Sequence, residues 1–266
     1  MDAGLLLICG LTFVIHLIGT LAYSVRIAGT RTRRIALSLS LFNILVLVSR
    51  TSNSFQAPLL AKRVEGNLAV GATGGLADFR WLLVFATAAS VLGALLIPTA
   101  QRVLSRWVQA LGERRSPIEL FRRAASPATI AHLRESVVMP KWQNVSAMKS
   151  GSHLPMSVVL LNTFAMAIWS VGVFAALYAG YLRPDLRATA GQLSAIVNGL
   201  ATILMFVFID PYLSLMTDDV AAGKVDEPHF RRSVVWLTGS RIAGTVLAQA
   251  LLVPSAIWIA TVADWL

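Results

Sequence analysis

Residues 3–34 read AGLLLICGLTFVIHLIGTLAYSVRIAGTRTRR, a long apolar run closed by four arginines. Reading this stretch decides the fold class. At 1.5 Å per residue, the residues ahead of Arg26 outlast a hydrocarbon core of about 30 Å. Only a helix satisfies all of its own backbone hydrogen bonds within one segment where water is absent. Blocks of similar length recur, and spans are read at Ala3 to Ala28, Ile35 to Leu60, Phe79 to Thr99, Leu154 to Leu182, Ala190 to Leu215 and Val234 to Val262. The composition agrees, with 56% hydrophobic and 14% charged residues, against roughly 25% charged in a soluble domain. The chain therefore reads as an all-α integral membrane protein, a bundle of six transmembrane helices with an amphipathic cytoplasmic connection between the third and the fourth.

Charge sets the expected topology. The turn after the first span carries Arg31, Arg33 and Arg34, with Arg26 just before it, which places it in the cytoplasm by the positive-inside rule. Alternating crossings then leave four, nine and four basic residues in the three inner regions, against five in the outer ones. Both termini are expected outside. The net charge of +10 does not point to nucleic acid, because the basic residues sit beside apolar blocks and not on a soluble, aromatic-rich domain. The first span lacks a basic region before it and a small-residue cleavage site after it, so it is expected to be retained. Cys9 is the one cysteine, which excludes a disulfide framework and a thiolate metal cluster.

Three regions follow: 1–101 with helices 1 to 3, 102–151 as the cytoplasmic segment, and 152–266 with helices 4 to 6. The middle region holds short amphipathic stretches, Val103 to Leu111 and Ile118 to Arg123, broken by Pro117, Pro127 and Pro140. Trp107, Phe121 and Trp142 lie among its basic residues, which suits either the anionic inner membrane surface or a loop packed on the bundle. Three spans before this connection and three after it raise the idea of an inverted repeat. The sequence scarcely supports it, since the recurring Arg-Ile-Ala-Gly-Thr at 26–30 and 241–245 ends one helix and begins another.

Polar residues inside the spans carry the functional signal. Thr12, His16, Thr20, Tyr23 and Arg26 follow at spacings of three and four and share one helix face. Asn43 and Arg50, seven apart, share a face of the second helix, with Asn53 one turn on. Thr238, Arg241, Thr245 and Gln249 do the same on the last helix, and the fifth supplies Asn198, Thr202 and Asp210. Arg50 stands out, because an arginine near a bilayer centre costs about 2.5–3.5 kcal/mol on insertion scales. It needs an acidic partner such as Asp210, a water-filled cavity, a route to the surface, or a bound anion suited to its planar fork of donors. Asp210 is paired provisionally with Arg241. His16 is read more readily as an interhelical hydrogen-bonding group than as a functional one, and one histidine makes no metal site. No Walker or GxGxxG pattern is present, so the sequence offers neither an ATP-binding motif nor a cofactor site. An arginine cluster below two polar-striped helices suits movement of an anionic lipid, with Arg50, Arg26, Arg31, Arg33, Arg34, His16, Asn43, Asn53 and Tyr23 as candidate contacts.

The run from His16 to Arg34, the segment Ser40 to Asn53 with its Val-Ser-Arg-Thr-Ser-Asn ending, and Gln56-Ala-Pro58 together resemble the Amj family of bacterial lipid II flippases. The resemblance is dense over the first quarter of the chain, and length and span number fit over the rest. It implies a bacterial plasma membrane protein, an alternative to the unrelated MurJ type. Its substrate would be the undecaprenyl-diphosphate-linked peptidoglycan precursor, carried from inner to outer leaflet in cell wall biogenesis and the maintenance of cell shape. It assigns no residue roles and leaves open whether the protein is an oligomer. Three rival readings remain: a prenyl-diphosphate phosphatase, for which intramembrane carboxylates are scarce; a scaffold whose polar stripes only join helices; and an ion-coupled transporter, which expects broken helices that the Pro and Gly positions do not clearly mark.

Overall fold

The computed structural model describes residues 1–72, 75–114, 136–138, 140 and 154–266, and among them every regular element is helical. Six helical stretches are long and apolar enough to cross a membrane. Four come first: α1 (Ala3–Thr32), α2 (Ile35–Ala69), α3 (Leu76–Arg114) and α4 (Met156–Leu182). The fifth crossing is composite. It runs through a 3-10 turn at Pro184–Leu186, α5 (Arg187–Gln192), α6 (Ser194–Leu204), a π-helical stretch at Met205–Ile209 and α7 (Asp210–Ala221), and α8 (Glu227–Trp265) makes the sixth.

Local chemistry sets the ends. The Asp2 carboxylate accepts the Leu5 amide at 2.8 Å and opens α1, as an N-cap does. That amide first, and Arg63 next, hold the Asp2 carboxyl below the usual carboxylate range. Arg63 also reaches Asp78 at 2.6 Å, so one guanidinium ties the start of α1 and of α3 to the end of α2. At the other end, Arg33 turns left-handed with φ 53° and closes α1, its amide and that of Arg34 bonding back to the Thr30 and Gly29 carbonyls. The helices outrun the bilayer: the 35 residues of α2 span about 52 Å.

Two expectations change. The stretch Val103–Leu111 is not a separate surface helix but the last turns of α3, whose Leu104, Val108 and Leu111 bury against Val25 and Ala28 of α1 and Leu41 of α2. Its apolar stripe finds the bundle before it finds a membrane surface. The second amphipathic stretch, Ile118 to Arg123, lies outside the described residues, as do Pro117, Pro127 and Trp142. The fifth crossing, expected as one α-helix, carries a π-helical stretch near its middle. Pro211 lacks an N–H and its ring conflicts with the carbonyl four residues earlier, and the helix widens to the π form just ahead of it.

Packing falls into layers. One apolar cluster gathers Leu5, Ile8, Leu60, Phe79, Leu82, Phe174, Leu252 and Ile259 at the end away from Arg26. A second gathers Tyr23, Ile27, Ile97, Leu213, Phe230 and Leu237 toward the basic end. Between them lie Thr12, His16, Thr20, Asn162, Ser170, Ser240, Arg241 and Thr245, all buried. The helices close tightly at this level. A Cβ on Gly244 of α8 would stand 2.6 Å from the Thr163 carbonyl oxygen and 2.7 Å from Met166 Cβ on α4.

Backbone atoms cannot swing aside, so Gly244→Val is expected to force α4 and α8 apart. The expected loss is about 1–3 kcal/mol, read as a lower thermal midpoint of the purified protein in detergent. Gly239→Val, where nothing lies within 4 Å, should leave the midpoint unchanged.

Candidate functional site

Helical spacing places the α1 stripe where the sequence indicated. Thr12, His16, Thr20 and Tyr23 are buried, and the Thr12 and Thr20 hydroxyls donate to the Ile8 and His16 carbonyls. Their oxygens stay free to accept from other helices. Gln56 of α2 donates to Thr12, and Arg241 of α8 donates through Nε to Thr20 at 3.1 Å. The stripe joins helices in the interior and does not face lipid.

Arg241 is the unexpected resident of this layer. It is 7% exposed, where a charge carries the desolvation cost that makes intramembrane arginines rare. Its guanidinium lies over Gly19, where any side chain on α1 would strike it. It donates to Met166 Sδ at 2.9 Å and stands 6.0 Å from the centroid of the Trp169 ring, a cation–π contact. The proposed partner Asp210 is elsewhere, 3.5 Å from Arg26. Among the described residues Arg241 forms no ion pair at all. The correction has a simple cause: Asp210 follows the π stretch at the basic end, level with Arg26, while Arg241 reaches α1 two turns further in.

The basic end is latched by charge. Arg26 contacts Asp210 and also Ser214 at 3.4 Å, joining α1 to α7. Arg31 contacts Glu227 at 2.7 Å, joining α1 to α8. Arg33 and Arg34 are exposed, Arg34 lying over Gly112 of α3.

The face of α2 differs from expectation. Ser38, Ser52 and Gln56 turn inward, whereas Asn43 and Arg50 are exposed. Ser38 secures this register by donating to the Val25 carbonyl of α1. Asn43 and Arg50 therefore do not meet the α1 stripe, and Arg50 makes no ion pair among the described residues. Asn53 stands at the margin, one turn from Arg50 and about 60° round the helix.

Asn53 opens onto the one feature that unites these parts. A small pocket of about 40 Å³ is lined by Ile15 and His16 of α1, Asn53 and Gln56 of α2, Trp169, Ser170, Val173 and Phe174 of α4, and Asn198 of α6. His16 packs edge-on to Trp169 at 5.4 Å between ring centroids. His16 is 3% exposed, yet its Nδ1 has no hydrogen-bond partner, and neither has Asn198 Oδ1. Buried polar atoms are nearly always paired, so two orphans at one pocket mark groups available to something else. The pocket lies at a lateral gap, because α2 and the fifth crossing both pack on α4 but not on each other. Elsewhere on its surface the fifth crossing exposes Ile196, Leu200, Ile203 and Phe206.

Gln56, Asn162, Trp169 and Ser170 escaped the sequence reading. A signal existed on α4, since Asn162, Met166 and Trp169 follow at spacings of four and three. One polar residue per two turns of an otherwise apolar helix was too sparse to register. The described residues hold no cluster of His, Cys, Asp and Glu that would bind a metal ion.

Comparison with known proteins agrees over nearly the whole chain. The family model described as Amj, Alternate to MurJ, matches residues 11–263. The protein named Lipid II flippase Amj from Bacillus subtilis (strain 168) is 36% identical over 258 residues, covering 95% of this chain and 94% of that one. No solved structure matches the chain. With a family match that takes in the α1 stripe, the α2 register, the pocket and Arg241 alike, the chain belongs to the Amj family.

Proposed function

We propose that this protein is a lipid II flippase, carrying the undecaprenyl-diphosphate-linked peptidoglycan precursor from the inner to the outer leaflet of a bacterial plasma membrane. The observation that carries the reading is the polar pocket opening sideways between α2 and the fifth crossing. A lipid with a large polar head needs such a shape: water-compatible walls for the head beside a gap through which the tail stays in hydrocarbon. A scaffold would need neither, and its polar layer would be packed and dry. The relative from Bacillus subtilis bears the name of this activity.

In this reading the basic end faces the cytoplasm and both termini lie outside, by the excess of arginine on that side. Arg33 and Arg34, exposed, gather the diphosphate and anionic lipids near the inner surface. Arg26 and Arg31 are held by Asp210 and Glu227 and join them when those latches open. Arg50, Asn43 and Asn53 line the path outside α2, and His16 and Tyr23 stand behind it on α1. The exposed apolar side chains of α6 flank the prenyl chain. Each negative charge moved outward down an inside-negative potential releases about 2.3 kcal/mol per 100 mV, so the direction needs no ATP. Among the described residues no intramembrane carboxylate pair is placed to attack phosphorus, which favours transport over hydrolysis.

Two results are expected. Arg50→Ala should lower translocation of fluorescent lipid II in proteoliposomes by tenfold or more while the folded yield is unchanged, because an exposed side chain contributes within about 0.5 kcal/mol to stability; a wild-type rate would remove Arg50 from the path. In a Cys9→Ser background, Arg33→Cys in intact cells should react with a permeant maleimide and not an impermeant one. Impermeant labelling at that position would invert the topology.

A further inference from the structure

Arg241 and the pocket beside it fit one kind of ligand. The lining side chains that are polar, His16, Asn53, Gln56, Ser170 and Asn198, carry no fixed charge. They offer both donors and acceptors: His16 Nδ1 and Asn198 Oδ1 are unpaired, and Gln56, which donates to Thr12, keeps its carbonyl oxygen. Such a set matches the hydroxyl and amide groups of a sugar better than an inorganic ion. Trp169 adds a flat aromatic wall, the surface on which a sugar ring rests its C–H face. On the same indole stands the Arg241 guanidinium, a buried charge with no carboxylate among the described residues. Fixed positive charge in a low-dielectric interior attracts an anion strongly, and the guanidinium fork matches phosphate oxygens.

We infer that the mid-membrane pocket is a glycosyl-phosphate site: Asn53, Gln56, Asn198 and His16 hold the sugar next to the diphosphate, Trp169 supports its ring, and Arg241 neutralises the phosphate. This rests on the flippase reading and adds to it the residues that pause the headgroup halfway. It also accounts for Gly19. Without a side chain there, α1 leaves space for the guanidinium to reach the level of His16.

Trp169 is a built-in reporter, and the difference between the wild type and Trp169→Phe isolates its signal from the other six tryptophans. The full-length protein in detergent is titrated with farnesyl-linked lipid II, farnesyl diphosphate, farnesol, inorganic pyrophosphate and a nucleotide-linked N-acetyl sugar. Farnesyl-linked lipid II is expected to bind tightest, farnesyl diphosphate more weakly and farnesol without the Trp169 signal. Arg241→Gln should weaken both diphosphates tenfold or more, and Asn198→Ala should erase the advantage that the sugar confers. Because Arg241→Gln can disturb folding, Gly19→Ala serves as the second variant: it keeps the charge, displaces the guanidinium and should weaken the same two ligands. Unchanged affinities in Arg241→Gln and Gly19→Ala, or a sugar advantage that survives Asn198→Ala, would overturn the site. Binding of the soluble pyrophosphate or nucleotide sugar as tight as the lipid-linked forms would assign it to a free anion and overturn the lipid assignment. Lipid II translocation by the wild type, measured alongside, separates the two readings: translocation with no Arg241-dependent binding sinks the site alone, and Arg241-dependent binding without translocation sinks the flippase reading.

Discussion

A guanidinium closed into the middle of a membrane, with no carboxylate beside it among the described residues, constrains everything around it. Moving such a group out of water costs about 2.5–3.5 kcal/mol even on the mildest scales, so its neighbours must return most of that through hydrogen bonds and polarisable contacts. Arg241 has the Thr20 hydroxyl, Met166 sulfur and the Trp169 face. Each requires something of another helix. Thr20 must be free to accept, which it is because its own proton goes to the His16 carbonyl. Gly19 must lack a side chain. α4 and α8 must approach closely, and Gly244 lets them. The polar layer between two apolar clusters is the result, and α1, α4 and α8 form its rigid block.

The two remaining sides of the pocket belong to α2 and the fifth crossing. α2 rests on α1 along Ser38, Ser52 and Gln56 and meets α4 through Asn67, which donates to Tyr181 at 2.8 Å near the far end. The fifth crossing widens to the π form ahead of Pro211. A gap between two elements that do not pack on each other is where a headgroup can enter a bundle without parting its core. The ion pair of Arg26 joins the fifth crossing to the block at the basic end, and that of Arg31 joins α1 to α8 within it. Breaking them costs little in a hydrated surface region, which suits latches that open and close.

Much of this was legible in the sequence. Apolar run length gave the six crossings, and spacing gave the buried stripe on α1. Family resemblance was carried by the same residues, His16 to Arg34 and Ser40 to Pro58. What periodicity could not decide was which face of α2 turns inward, because that helix is polar on two sides. The choice of Gln56 and Ser38 over Arg50 and Asn43 depends on acceptors supplied by α1, Thr12 and the Val25 carbonyl. Nor could spacing pair Asp210 correctly, since the heights of residues on different helices follow from packing. Spacing put Arg241 on the polar face of the last helix, and packing buries it in the interior. The interruption at Pro211 was readable in principle, from the ring's conflict with the preceding turn.

If the headgroup passes between α2 and the fifth crossing, fastening those two elements together must stop it. Asn53 and Asn198 line the pocket from opposite sides, and in a Cys9→Ser background both are replaced by cysteine and joined by a short reducible bifunctional crosslinker. Lipid II translocation in proteoliposomes is then measured before and after linking and again after cleavage of the linker. The account predicts that linking abolishes translocation and cleavage restores it. Translocation at the unlinked rate by the fully linked protein would contradict it.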